Sequence, residues 1–203
     1  LAAKHDALFE KLRGYGSVMV AYSGGADSAY LAWAAYRALG DRCVAVTADS
    51  PSFPESHKRD AEQFVKRWGI PHKYIETREF ENPDYVKNDG NRCFHCKDEL
   101  FRRMQSLGAN GSRIIYGVNI DDLGDYRPGQ RAALEHGIEA PLVDVRLSKA
   151  EIRALSKEAG LETWDRPASA CLSSRIPYGT PVTIENVKTV DRSEEHTSEL
   201  QSR

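Results

Sequence analysis

Apolar residues along the chain recur in a repeating order of short buried runs and longer one-sided stretches. Val18 to Tyr22 is a short apolar run, two glycines follow, and Asp27 to Leu39 is an Ala- and Leu-rich stretch that stops at Gly40. A short apolar run bounded by turn residues reads as a buried strand, and a longer periodic stretch closed by glycine reads as a helix. The pattern predicts strand, glycine turn, helix. The unit then recurs. RCVAVTADS reads as a second strand and Pro54 to Trp68 as a second helix, with Ser52 as a candidate cap, Pro54 at its first turn and Gly69 at its end. HKYIET supplies a third strand, Arg113 to Val118 a fourth and Leu142 to Val145 a fifth. Further helices are expected over Lys4 to Arg13, about Phe94 to Leu107, Gln130 to His136, and from a Ser148/Glu151 capping box to Gly160. The polar stretch Arg78 to Arg92 is too long and irregular for a tight turn and is read as a functional loop. Strands alternating with helices at this spacing predict an α/β fold, a parallel sheet with helices on both faces.

After Trp164 the rhythm breaks into DRPASACLSSRIPYGTP, and a helix restarts near Thr183. A domain boundary is therefore expected near Tyr178, with residues 1–178 as one domain and 179–191 as the start of a second, truncated one. Residues 192–203 open with RSEEHTSELQS, the in-frame translation of a common sequencing adapter, and are read as a non-native tail outside the fold. A length of 203 residues suits one α/β domain and part of another. Twenty-eight basic against 30 acidic side chains leave a net charge of −2, which lacks the basic footprint of a nucleic-acid binder. No apolar run approaches the ~18 residues of a membrane span. The absence of a leader pattern and the use of reduced thiols suggest a cytoplasmic setting.

Chemistry concentrates in three places. Ser23-Gly24-Gly25-Ala26-Asp27-Ser28 lies at a strand-to-helix junction. There glycines let backbone N–H groups approach an anion, the helix dipole adds positive potential, and Ser23 and Ser28 offer hydroxyls. It is neither a Walker A loop nor GxGxxG. Asp49, after the second strand at the same sheet edge, is a further candidate for a ligand held at that loop. After the fourth strand, Gly117, Asn119, Asp122 and Asp125 supply backbone access and carboxylates for Mg²⁺ against phosphate. An exposed acidic loop is the bland alternative.

Four cysteines complete the inventory. Cys43 opens an apolar strand and reads as inert. Cys93 and Cys96 form C-x-x-C at a helix start, a spacing that serves zinc, iron–sulfur or redox chemistry, and Cys171 stands in a small-residue loop between Arg166 and Arg175. With no second C-x-x-C, Cys93, Cys96 and Cys171 suit a 4Fe-4S cluster with one open iron, and Cys171 alone suits a nucleophile. Arg127 and Arg175 are candidates, by charge and position, for gripping a substrate phosphate or carboxylate.

SGGADS resembles the PP-loop of ATP pyrophosphatases. Together with TADSPS, NRCFHCKDELF, NIDDLGDYRPGQRA and DRPASACLSSRIPYG, it makes residues 17–179 resemble the LarE family of ATP-dependent sulfur transferases. That resemblance implies a PP-loop/HUP-type, Rossmann-like fold. It also implies adenylation of a carboxylate of pyridinium-3,5-biscarboxylic acid mononucleotide with ATP and Mg²⁺, followed by conversion to a thiocarboxylate, in making the nickel-pincer nucleotide. In one form of the family the cysteine matching Cys171 gives up its sulfur and becomes dehydroalanine. In another, three cysteines hold a 4Fe-4S cluster that carries the sulfide. With both Cys171 and C-x-x-C present, the cluster form is the expectation here. A homo-oligomer, and a C-terminal domain that completes the site, are also implied. The competing readings are a tRNA thiolase of the PP-loop type and a non-catalytic ATP- and zinc-binding module.

Overall fold

The computed structural model describes residues 1–108, 111–124 and 127–201, with side chains as far as residue 194. In chain order the elements are α1 (Ala2–Gly14), β1 (Val18–Ala21), α2 (Ala26–Leu39), β2 (Cys43–Asp49), α3 (Glu55–Trp68) and β3 (His72–Glu76). There follow α4 (Pro83–Val86), α5 (Arg92–Leu107), β4 (Arg113–Tyr116), α6 (Pro128–Glu135), α7 (Pro141–Asp144), α8 (Lys149–Glu158) and α9 (Ile184–Gln201). Four strands form one parallel sheet in the order β3-β2-β1-β4.

Every residue of β1 is buried, as a central parallel strand covered on both faces requires. Its side chains alternate between two cores. Val18 and Val20 join Tyr30, Leu31, Phe64, Leu142 and Ile152 on one face, and Met19 and Ala21 join Phe101, Met104, Ile114 and Ala132 on the other. Covering one such aromatic fully contributes roughly 1.5–3 kcal/mol relative to leaving it in water. The expected layering of helices on both faces is therefore present, and its physical basis is this split.

The expected fifth strand over Leu142 to Val145 is instead the short helix α7. Pro141 has no N–H for a ladder and a backbone preset for a helical first turn. Strand character survives only as a single parallel bridge between Glu139 and Ile115. Ser52 does not cap α3. Pro54 occupies the cap, and the Ser52 hydroxyl is used elsewhere. The helix expected from Phe94 begins at Arg92, so C-x-x-C lies within its first turns. The Ser148/Glu151 capping box forms with both reciprocal hydrogen bonds. At the other end of the chain, Val182 and Val187 are buried with Tyr85, Leu172 and Ile176 in a small third cluster, and α9 runs on through residue 192.

Candidate active site

The strand order puts the Ser23–Ser28 turn and Gly117 side by side at the carboxyl ends of β1 and β4, where open parallel sheets bind ligands. Gly24 has φ +74°, and a Cβ there would press to 3.3 Å from that of Ala61. At Gly117 a Cβ would come within 2.8 Å of the Ser28 backbone, so only glycine lets the two loops touch. The hydroxyls are already ordered: Ser28 Oγ donates to the Gly25 carbonyl at 3.0 Å, receives the Ser23 N–H at 3.2 Å and meets Ser23 Oγ at 3.1 Å. These contacts shape a loop at the N-terminus of α2, the 14-residue helix whose dipole faces it.

Around this loop lies a cleft of about 750 Å³, within the size range of small-molecule sites. Asp27 stands at its wall. Asn119, fully buried, donates from Nδ2 to Asp27 Oδ2 at 3.2 Å, while Asp27 Oδ1 is buried with no hydrogen-bond partner among the described residues. Burial pushes the Asp27 carboxyl up, and Lys149 opposes that. A buried carboxylate oxygen without a partner is costly unless a cation or donor meets it. Asp122 is more engaged: Oδ1 pairs with Arg127 Nη1 at 2.9 Å and Oδ2 accepts the Asn119 N–H at 3.2 Å. Asp27 and Asp122 thus fit Mg²⁺, which takes one or two carboxylates and completes its shell with phosphate and water. Asp125 lies outside the described residues.

Cys171 lines the same cleft, with Pro167 to Ala170 beside it. Arg166 ties this segment to the glycine loop by donating from Nη1 to the Gly24 carbonyl at 2.9 Å, and it pairs with Asp60 at 3.3 Å. His57 faces the segment, 3.2 Å from Ser169 Oγ, and burial lowers its pKa so that the ring is neutral near pH 7. Sequence reasoning missed Lys149, His57 and Asp60 as cleft residues and took Arg166 only as a flanking charge. Lys149 follows the recognised capping serine, which is the one signal that could have drawn attention to it.

The three candidate cluster ligands differ in exposure. Cys93 and Cys171 are exposed, whereas Cys96 packs against the third apolar cluster. Burial, then Glu79, Cys171 and Cys93, push the Cys96 thiol up to about 12. Among the described residues no three Cys, His, Asp or Glu side chains converge to hold a metal ion. A 4Fe-4S cluster takes each cysteine on a different iron, and nothing in the placement of Cys93, Cys96 and Cys171 among the described residues shows one. Cys43 is buried, as read, and its thiol is likewise pushed up to about 12 by burial. Cys93, Cys96, the buried Asn119, Asp49 and Arg175 fall outside the cleft lining. Asp49 ends β2 on the surface, paired with Lys58 at 2.9 Å, and Arg175 pairs with Glu194 at 3.0 Å.

A parallel α/β sheet with this glycine turn at its carboxyl edge is the fold of the PP-loop ATP pyrophosphatases. The solved structure of the NH3-dependent NAD synthetase of Campylobacter jejuni superimposes with a TM-score of 0.57 over 79% of this chain and 72% of that one, at 21% identity. No family model matches the chain. Among curated proteins, an uncharacterized protein of Synechocystis is 46% identical over 87% of this chain. The pyridinium-3,5-bisthiocarboxylic acid mononucleotide synthase of Lactiplantibacillus plantarum is 32% identical over 98% of this chain and 74% of its own length. An uncharacterized protein of Methanocaldococcus jannaschii is 28% identical over 88% of this chain. The chain belongs to the family of the Lactiplantibacillus synthase, the LarE family. It spans 66% of the length of the Synechocystis relative.

Proposed function

We propose that the protein is an ATP-dependent sulfur transferase that activates a carboxylate of pyridinium-3,5-biscarboxylic acid mononucleotide and converts it to a thiocarboxylate, a step of nickel-pincer nucleotide formation. The observation that carries this reading is the presence of the Ser23–Ser28 loop and the Cys171 thiol in one cleft. Backbone N–H groups of Gly24 and Gly25, with the Ser23 and Ser28 hydroxyls, hold the β and γ phosphates. Asp27 and Asp122 hold Mg²⁺, which neutralises phosphate charge when bound. Arg127 grips the acceptor from its position on Asp122.

The acceptor carboxylate oxygen attacks the α-phosphorus and pyrophosphate leaves. The Cys171 thiolate then attacks the acyl carbon and AMP leaves. Loss of the Cys171 α-proton, with the Cβ–S electron pair passing to sulfur, releases the thiocarboxylate and leaves dehydroalanine. His57, which lines the same cleft and meets Ser169 two residues before the thiol, is the base assigned to the thiol proton.

The test is the denaturing mass of the intact protein, handled without oxygen, before and after incubation with ATP, Mg²⁺ and the dicarboxylate nucleotide. Loss of the mass of one hydrogen sulfide mapped to Cys171, with thiocarboxylate formed, is the expected result. Product formation with unchanged mass and bound iron would replace the Cys171 donor by a cluster held by Cys93, Cys96 and Cys171. Bound zinc and no product would leave only the nucleotide-binding module.

A further inference from the structure

The segment that carries Cys171 changes character at that residue. Pro167 to Cys171 is exposed; Ser169 Oγ meets His57 at 3.2 Å, and the Cys171 carbonyl accepts the Ser174 N–H at 3.0 Å and its hydroxyl at 2.6 Å. From Leu172 onward the chain is bolted down. The Leu172 N–H donates to the Ser52 carbonyl at 3.0 Å. Ser173 Oγ lies 2.8 Å from both Ser52 Oγ and Tyr85 Oη, which are themselves 2.8 Å apart, a closed triangle of buried hydroxyls. Arg92 Nη1 donates to the Ser173 carbonyl at 2.9 Å and to Asn88 Oδ1 at 2.5 Å. Asn88 Nδ2 in turn donates to the carbonyls of Ile176, Pro177 and Thr180 at 3.3, 2.9 and 2.8 Å, and the Gly179 N–H donates to the Asn88 carbonyl.

Arg92 is an unfavourable residue for a purely structural clamp. Arg92 is 4% exposed and makes no ion pair among the described residues, and a buried guanidinium without a counter-charge is tolerated only when its donors are well satisfied. Asn88 is fully buried and adopts φ +59°, a left-handed conformation in which Asn is, glycine aside, among the best-tolerated residues, so its side-chain amide is kept at a turn where it reaches several carbonyls. Each donates to carbonyls of one stretch, residues 173–180, and Arg92 also holds the Asn88 side chain. Neither lines the cleft.

We infer that Arg92 and Asn88, with the Ser52–Tyr85–Ser173 hydroxyl triangle, are positioning residues that set the reach of Cys171 into the cleft. They anchor the chain two residues beyond the thiol. This inference rests on the sulfur-transfer reading of that cleft. Adenylation happens at the glycine loop and does not need the anchor, whereas the attack of Cys171 on the acyl carbon does. A misplacement of about 1 Å in such a step costs on the order of 100-fold.

The experiment compares the wild-type protein with Arg92→Lys and Tyr85→Phe in a single turnover with ATP, Mg²⁺ and the dicarboxylate nucleotide. Pyrophosphate release and mass loss at Cys171 are read from the same samples. Arg92→Lys is expected to keep pyrophosphate release while slowing the loss at Cys171 by about 100-fold. Tyr85→Phe, which removes one hydroxyl and no charge, shows the same split with a smaller slowing. Variants in which both readouts fall together, or in which the Cys171 step keeps the wild-type rate, would overturn the inference. If wild-type protein releases no pyrophosphate, the functional reading fails instead. Positioning is then decided without turnover, by the rate of tryptic cleavage after Arg175 and of iodoacetamide labelling at Cys171. Both rise in Arg92→Lys if the anchor holds the loop, and both stay at the wild-type rate if it does not.

Discussion

Asp27 shows how much a single carboxylate can be asked to do. Its Oδ2 is held by Asn119 and its buried Oδ1 has no hydrogen-bond partner among the described residues, a desolvation cost that a cation would relieve. Asp27→Asn keeps the shape and removes the charge, and it should move binding and stability in opposite directions. Affinity for ATP with Mg²⁺ falls by roughly 10- to 100-fold, the scale of an interaction with a charged group, by titration calorimetry. Thermal stability without ligand holds or rises at neutral pH, because burial already disfavours the charged form. Gly117 is the steric counterpart. Gly117→Ala places a Cβ at 2.8 Å from Ser28 Cα and N, backbone atoms that cannot swing away. Overpacking of this kind costs about 1–3 kcal/mol in denaturant unfolding, and it deforms the phosphate loop as it does so. The Ser-Gly-Gly-Ala-Asp-Ser string is legible in the sequence because phosphate loops need those residue types at fixed offsets. Arg92 and Asn88 are not, because a polar residue in an irregular stretch carries no local sign that it will be buried.

At the scale of elements, what can be read is what has a local cause. The α8 start is recognisable because Ser148 and Glu151 satisfy each other's backbone donors within one turn. Ser148→Ala should cost about 0.5–2 kcal/mol of stability by chemical denaturation. Glu151 makes a pH prediction too. Lys4 first, then the Ser148 N–H, hold its carboxyl down to about 2 from an ordinary 4.5. A depressed folded pKa gives stability that is complete above the unfolded value and disappears as pH falls through the folded one. Stability should therefore decline between pH 4.5 and about 2, and Glu151→Gln should flatten that part of an acid titration followed by circular dichroism. The α7 segment misleads for the complementary reason. Leu142 to Val145 is apolar enough for a strand, but Pro141 just before it removes a ladder N–H and presets a helical first turn.

At the scale of the whole molecule, the parallel sheet is legible because alternating strand and helix periods leave few topologies. The cleft is only half legible, since it is closed by residues far apart in sequence. Arg166 lies 142 positions from the Gly24 carbonyl it holds, and that one bond couples the cysteine segment to the phosphate loop. The coupling has a thermodynamic consequence. A ligand that binds only the folded protein adds RT ln(1 + [L]/Kd), about 2.7 kcal/mol at a hundredfold excess over Kd. Mg²⁺ with ATP should therefore raise the thermal midpoint. It should also slow tryptic cleavage after Arg175, because the ordered loop fixes the segment through Arg166. Arg166→Ala should keep part of the midpoint shift, since the Ser23–Ser28 loop remains, and lose the protection of the segment. A midpoint unmoved by Mg²⁺ and ATP would mean that this cleft is not a nucleotide site. Equal protection in Arg166→Ala would mean that the two halves of the cleft communicate by some route other than this hydrogen bond.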